Sequence, residues 1–303
     1  MKYAMKEMKE MKEMKEMKEK KENRFYNSVI WIFIATTMLM LLGDVLGALI
    51  LPQPDVSQRY FHTFMAYASF IPMWCMVILA MTLFRKNRYI GKCFLKNDTG
   101  NTLPYLGAGL LLGFLLNLLC ASVAIFRGDV SLEFKEFGFL PAVGLFAAVF
   151  IQSSAEEALC RGFLYQRLVK ATEKPYAAVF LNAVFFAVLH LFNDGMNPLA
   201  FYDIFITGVF FSLIVLYFDS LWMAMGIHAT WNFTQSILLG LPNSGASFPY
   251  SIFGLDCGMT RTSFAYHREF GLEGTWLSAV LMTACCVILY LWRKEKTEAL
   301  ENP

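Results

Sequence analysis

Charge is what this sequence lacks. Of its 303 residues only 17% are Asp, Glu, Lys or Arg, against 57% hydrophobic, and the mean hydropathy is +0.47. So little polar surface excludes an ordinary soluble globular domain. The net charge of +2 provides no field to gather nucleic acid, and no basic patch is interleaved with aromatics, so no nucleic-acid partner is expected. The seven cysteines are scattered singly, apart from Cys285-Cys286, with no CxxC spacing. They read as small core hydrophobes, and neither a disulfide framework nor a zinc finger follows.

What is plentiful is uncharged runs near the ~20 residues that carry a helix across a bilayer. Eight are read, at 28–51, 61–84, 104–126, 139–166, 176–192, 200–218, 221–241 and 275–292. The expected fold is therefore all-α, a polytopic transmembrane helix bundle of about eight spans. Alternate segments differ sharply in basic residues. Twenty of the 26 Lys and Arg fall on the side of the N-terminus, five on the other, and Arg161 lies within a helix. The positive-inside bias places both termini in the cytoplasm and the long loop 242–274 outside. The expected location is the bacterial cytoplasmic membrane, with lipid as the surrounding partner. The fifth segment is weakly hydrophobic, which leaves a re-entrant course open.

Residues 1–24 form a charged tail in which Met-Lys-Glu repeats five times between Met5 and Glu19. A period of three drifts around a helix of about 3.6 residues per turn, so no sustained apolar face or coiled coil results. Six glutamates largely cancel its lysines, and it has no n-region or small-residue cleavage site, so it is read as a solvated tail rather than a signal peptide. Residues 25–296 make up the membrane domain, and 297–303 a second short cytoplasmic tail.

Ionisable groups inside spans are costly, so each is a candidate for function. They concentrate in three segments, as Glu156-Glu157-Ala-Leu-Cys-Arg161, Phe186-Ala-Val-Leu-His190 and His228-Ala-Thr-Trp-Asn232. Residues four apart share a helix face, so Glu157 lies over Arg161 as a structural ion pair, while Glu156 points elsewhere. His228 and Asn232 share a face in the same way. At about 1.5 Å per residue, Glu156, His190 and His228 lie roughly 17, 21 and 10 Å from the cytoplasmic ends of their helices. They can meet in the cytoplasmic half or the middle of the bilayer. Asp44 and Asp203 are weaker candidates, since no GxGD sequence surrounds them, and no GxSxG or Ser-Lys arrangement supports a serine route.

Two chemistries fit this set. Glu156 with His190 can take a proton from water while His228 and Asn232 hold the oxyanion of the tetrahedral intermediate. Alternatively Glu156, His190 and His228 ligate one divalent ion such as zinc, whose bound water attacks. There is no HExxH sequence, and the metal question stays open.

At these residues the chain resembles the CPBP intramembrane protease family, which includes the Ras-converting CAAX endopeptidase and bacterial bacteriocin-processing and self-immunity proteins. The family motifs EExxxR, FxxxH and HxxxN match Glu156-Glu157-xxx-Arg161, Phe186-xxx-His190 and His228-xxx-Asn232. The resemblance covers about 139–240 and implies an eight-helix membrane endopeptidase whose site opens toward the cytoplasm and lateral lipid. It also implies Glu156, His190, His228 and Asn232 as the catalytic set, supported by Glu157, Arg161 and Phe186. Its partners are membrane-associated peptides or proteins. An ion-coupled transporter, or a non-catalytic self-immunity or scaffold protein, is the alternative.

Overall fold

The computed structural model describes residues 26–256, 258 and 260–301, with side chains to 294. The Met-Lys-Glu tail lies outside the described residues. Helix α1 (Val29–Ile50) starts where the Ser28 hydroxyl accepts from the Trp31 amide. The expected second span is broken into α2 (Arg59–Ala68) and α3 (Ile71–Leu83). Pro72 explains the break: it has no amide hydrogen, and its ring collides with the carbonyl four residues earlier. Helix α4 (Leu103–Phe126), capped by Thr102, follows a 3₁₀ stretch at Arg85–Phe94 that carries most of the basic residues of this connection.

The fourth span runs beyond its expected end at 166. It is α-helical as α5 (Phe139–Glu157), widens to a π turn at Ala158–Leu164, and resumes as α6 (Tyr165–Thr172). Helix α7 (Pro175–Leu189) has 15 residues, about 22 Å at ~1.5 Å each, and ends before its expected limit at 192. Helix α8 (Pro198–Phe218), capped by Asn197, returns alongside it at full length. The seventh segment is α9 (Leu221–Asn232) followed by a π turn at Phe233–Leu238, and the chain closes with α10 (Trp276–Glu301). All eight expected segments are thus helical, and among the described residues six helices are long and apolar enough to cross a membrane. The chain is an all-α membrane bundle. The exception is a two-stranded antiparallel ladder, β1 (Leu132–Phe134) with β2 (Phe253–Leu255), which joins two loops.

Two faces result. On the terminal face Arg167 donates to the Tyr26 carbonyl, and Trp222 to that of Phe94. On the loop face Arg59 pairs with Glu136 and donates to the Pro249 carbonyl, and Asp129 accepts from Arg127, Arg261 and Ser263. Helix α9 is the axis of the bundle. It meets α4 backbone to backbone, because a Cβ on Gly109 or Gly113 would overlap the carbonyls of Met223 or Ile227. Small residues allow such close approach in membranes, and here they fix the depth of His228, next to Ile227.

Candidate active site

The two adjacent glutamates at the end of α5 face different neighbours, as their ~100° separation requires. Glu157 is fully buried, and its Oε1 accepts from Arg161 Nη1 at 2.8 Å and from His228 Nδ1 at 3.0 Å. Arg161, also fully buried, donates to the Gly208 carbonyl at 3.2 Å and lies over the Phe186 and Phe211 rings. The first motif is therefore an ion pair extended into a triad with the histidine of the third. Phe186 covers Arg161 on one side and packs against both His190 and His228 on the other.

Glu156 is partly open. Its Oε1 accepts from Gln152 Nε2, and its Oε2 lies 3.8 Å from His228 Nε2. His228 therefore stands between the two carboxylates, one at each ring nitrogen, with its plane stacked on Phe211. His190 follows the last turn of α7, and its Nδ1 bonds the Phe186 carbonyl at 2.8 Å. A carbonyl only accepts, so Nδ1 carries the proton and Nε2 keeps its lone pair.

Asn232 is engaged on both sides of its amide. Its nitrogen donates to Gln152 Oε1 and Ser153 Oγ, and its oxygen accepts from Asn243. Any oxyanion binding by Asn232 would compete with those two bonds. A relay thus runs from Asn243 through Asn232 and Gln152 to Glu156. Gln152 and Asn243 escaped the sequence reading, because an amide in a span carries no charge to mark it. The position of Gln152 one turn before Glu156 is the only signal it offered. The π turns also contribute, since such turns recur at functional sites. In the first, the Cys160 carbonyl accepts from Asn182 as well as from the Tyr165 amide, and Asn182 in turn accepts from Ser212.

Glu156, His190, His228, Gln152 and Asn232 line one cavity of about 540 Å³. Its lining also includes Gln53, Asn193, Asn243, Ser244 and Glu273, from the segments that follow α1 and α7 and from the 242–274 loop. Glu273 accepts from Trp231 and Ser244, tying the 242–274 loop to the motif helix. The cavity therefore reaches from the motif helices toward the loop face. Of the weaker candidates, Asp203 is committed to structure: it accepts from the Gly274 amide and Ser278 at the start of α10. Asp44 lines the cavity. Among the described residues no group of three or more His, Cys, Asp or Glu side chains is placed to hold a metal ion.

Residues 138–234 match the family model of type II CAAX prenyl endopeptidase Rce1-like proteins. That segment holds all three motifs and bears out the resemblance to the CPBP intramembrane proteases over about a third of the chain. No curated protein and no solved structure matches the chain.

Proposed function

We propose that this protein is an intramembrane endopeptidase that hydrolyses peptide bonds of membrane-associated peptides or proteins, with Glu156 activating water. The observation that carries the reading is the partly open Glu156 carboxylate, held by Gln152 on one oxygen and facing His228 with the other, in the cavity that also receives His190. Water bound between Glu156 and His190 gives up a proton to this pair, and its oxygen adds to the scissile carbonyl carbon. With a proton on each nitrogen, His228 donates from Nδ1 to Glu157 and from Nε2 to the oxyanion. Collapse of the intermediate breaks the C–N bond, and the proton taken from water passes to the leaving nitrogen. Asn232 acts on the same wall, holding Gln152 in place and adding an amide donor if one of its bonds is released. Glu157, Arg161 and Phe186 position His228.

The divided Lys and Arg support cytoplasmic termini in a bacterial membrane, and the cavity then opens outward. A single cysteine at Ser244, in a cysteine-free background, is expected to react with a membrane-impermeant maleimide on intact cells. Labelling only after lysis would reverse the orientation. The reading itself is tested by comparing membrane and secreted peptidomes of cells with wild-type protein and Glu156→Gln. Peptides that vanish with Glu156→Gln are expected; identical peptidomes would overturn it.

A further inference from the structure

The membrane half of α1 contains one ionisable side chain, Asp44, on a helix otherwise made of apolar, small and hydroxyl residues. Such a group is costly to keep in a bilayer, and its partner is the first question to ask of it. Among the described residues Asp44 forms no hydrogen bond or ion pair, and it is exposed. It lines the cavity that holds Glu156, and also a smaller one of about 230 Å³ shared with Ala48, Leu51, Gln53, Ser69 and Phe70. Residues 44, 48 and 51 are spaced to lie on one helix face, so the second cavity runs along α1 toward its end.

The cavity lies against the carboxyl-terminal turns of two helices, α1, which ends at Ile50, and α2, which ends at Ala68, and against Phe70, the N-cap of α3, so the only full charge in its lining is that of Asp44. Helix carboxyl ends carry partial negative charge. Ser69 spends its only hydroxyl hydrogen on the Ala66 carbonyl, so toward the cavity it offers lone pairs. The two helices touch here, because a Cβ on Gly47 would overlap the Ser69 carbonyl, which fixes the pocket's shape. None of the lining residues is basic.

We propose that this pocket is a subsite for a Lys or Arg side chain of the peptide substrate, with Asp44 as the residue that selects it. The inference rests on the endopeptidase reading, since it names the substrate feature that the cavity recognises. Continuity with the Glu156 cavity favours a peptide over a lipid amine. So does depth, because Asp44 lies six residues, roughly 9 Å, below the end of α1, out of reach of a headgroup but within reach of a long basic stem.

The test uses purified full-length Glu156→Gln protein in detergent and two fluorescent, acetylated apolar peptides that differ only in a central Lys or Gln. By anisotropy the Lys peptide is expected to bind about tenfold or more tightly, as a charge-assisted hydrogen bond allows, and Asp44→Asn should erase the difference. Equal affinities, absence of binding by either peptide, or a preference that survives Asp44→Asn overturns the subsite. Cleavage by wild-type protein is scored separately. Preferential binding without Glu156-dependent cleavage leaves the subsite standing and removes the endopeptidase reading; equal binding with cleavage does the reverse.

Discussion

Helices α1 and α8 are nearly matched in length and hydropathy, yet 17% of the most apolar stretch of α1 is buried against 56% of that of α8. The difference separates two regions. The motif-bearing region, 139–238, turns its polar groups inward, where Glu157, Arg161, His228, Asn182 and Ser212 find partners on neighbouring helices. In the region 29–126, α4 packs on α9 and Asn117 bonds Gln235, while α1 is largely uncovered and contributes a wall in which Asp44 stands without a partner. Polar groups that pair with one another across helices build the site, although Glu157 Oε2 and Arg161 Nε are buried without a hydrogen bond, whereas Asp44 makes no pairing at all among the described residues.

The comparison breaks most visibly at Glu156. Glu156→Gln should lower turnover by roughly 10²- to 10⁴-fold, the range of general-base catalysis, with the melting temperature unchanged. A variant that keeps near-normal turnover in a peptide-release assay removes Glu156 from the chemistry. Arg161→Ala attacks partnering itself. Loss of one member of a buried pair costs about 3–5 kcal/mol, so folded yield in detergent should fall steeply. The contrasting variant is Asp44→Asn, which removes an unpartnered charge from a membrane helix, so its melting temperature should not fall more than about 2 °C below wild type.

A smaller effect sharpens the role of the loop. Asn243→Ala removes the donor to Asn232 Oδ1, leaving that oxygen unsatisfied at a cost of about 1–3 kcal/mol. If the relay orients Glu156, kcat should drop about tenfold with KM nearly constant; a change in KM alone would make Asn243 a substrate contact instead.

The mildest effect concerns Asp129 on the loop face. Burial alone raises its carboxyl, but hydrogen bonds from Ser263, Arg261 and Arg127 outweigh burial and hold it below the ordinary carboxylate value. A depressed carboxyl contributes stability that is complete above its unfolded value, about 4, and is lost as pH falls through the folded value. Hydrogen exchange in 127–134 and 253–263 should therefore be pH-independent above about 5, after correction for intrinsic rates, and lose protection in stronger acid. Asp129→Asn should remove that loss of protection.

Much of this molecule was legible in the chain. Apolar runs near 20 residues marked the eight segments, because a bilayer tolerates little else, and spacing four apart marked the Glu157–Arg161 pair and the shared face of His228 and Asn232. Charge made these residues conspicuous in an uncharged background. Neutral partners had no such mark: Gln152, Ser153 and Asn243 became recognisable only when α5, α9 and the 242–274 loop met. The π turns were hidden as well, since an extra residue in a helical turn reflects how the helix packs and has no periodicity of its own. Sequence alone determined which residues must be kept from lipid, since desolvation acts on each side chain separately. Only the tertiary structure decided which nitrogen of His228 meets which glutamate, which face of the bundle the cavity opens on, and that Asp44 is left with no partner, because each depends on distances between helices far apart in the chain.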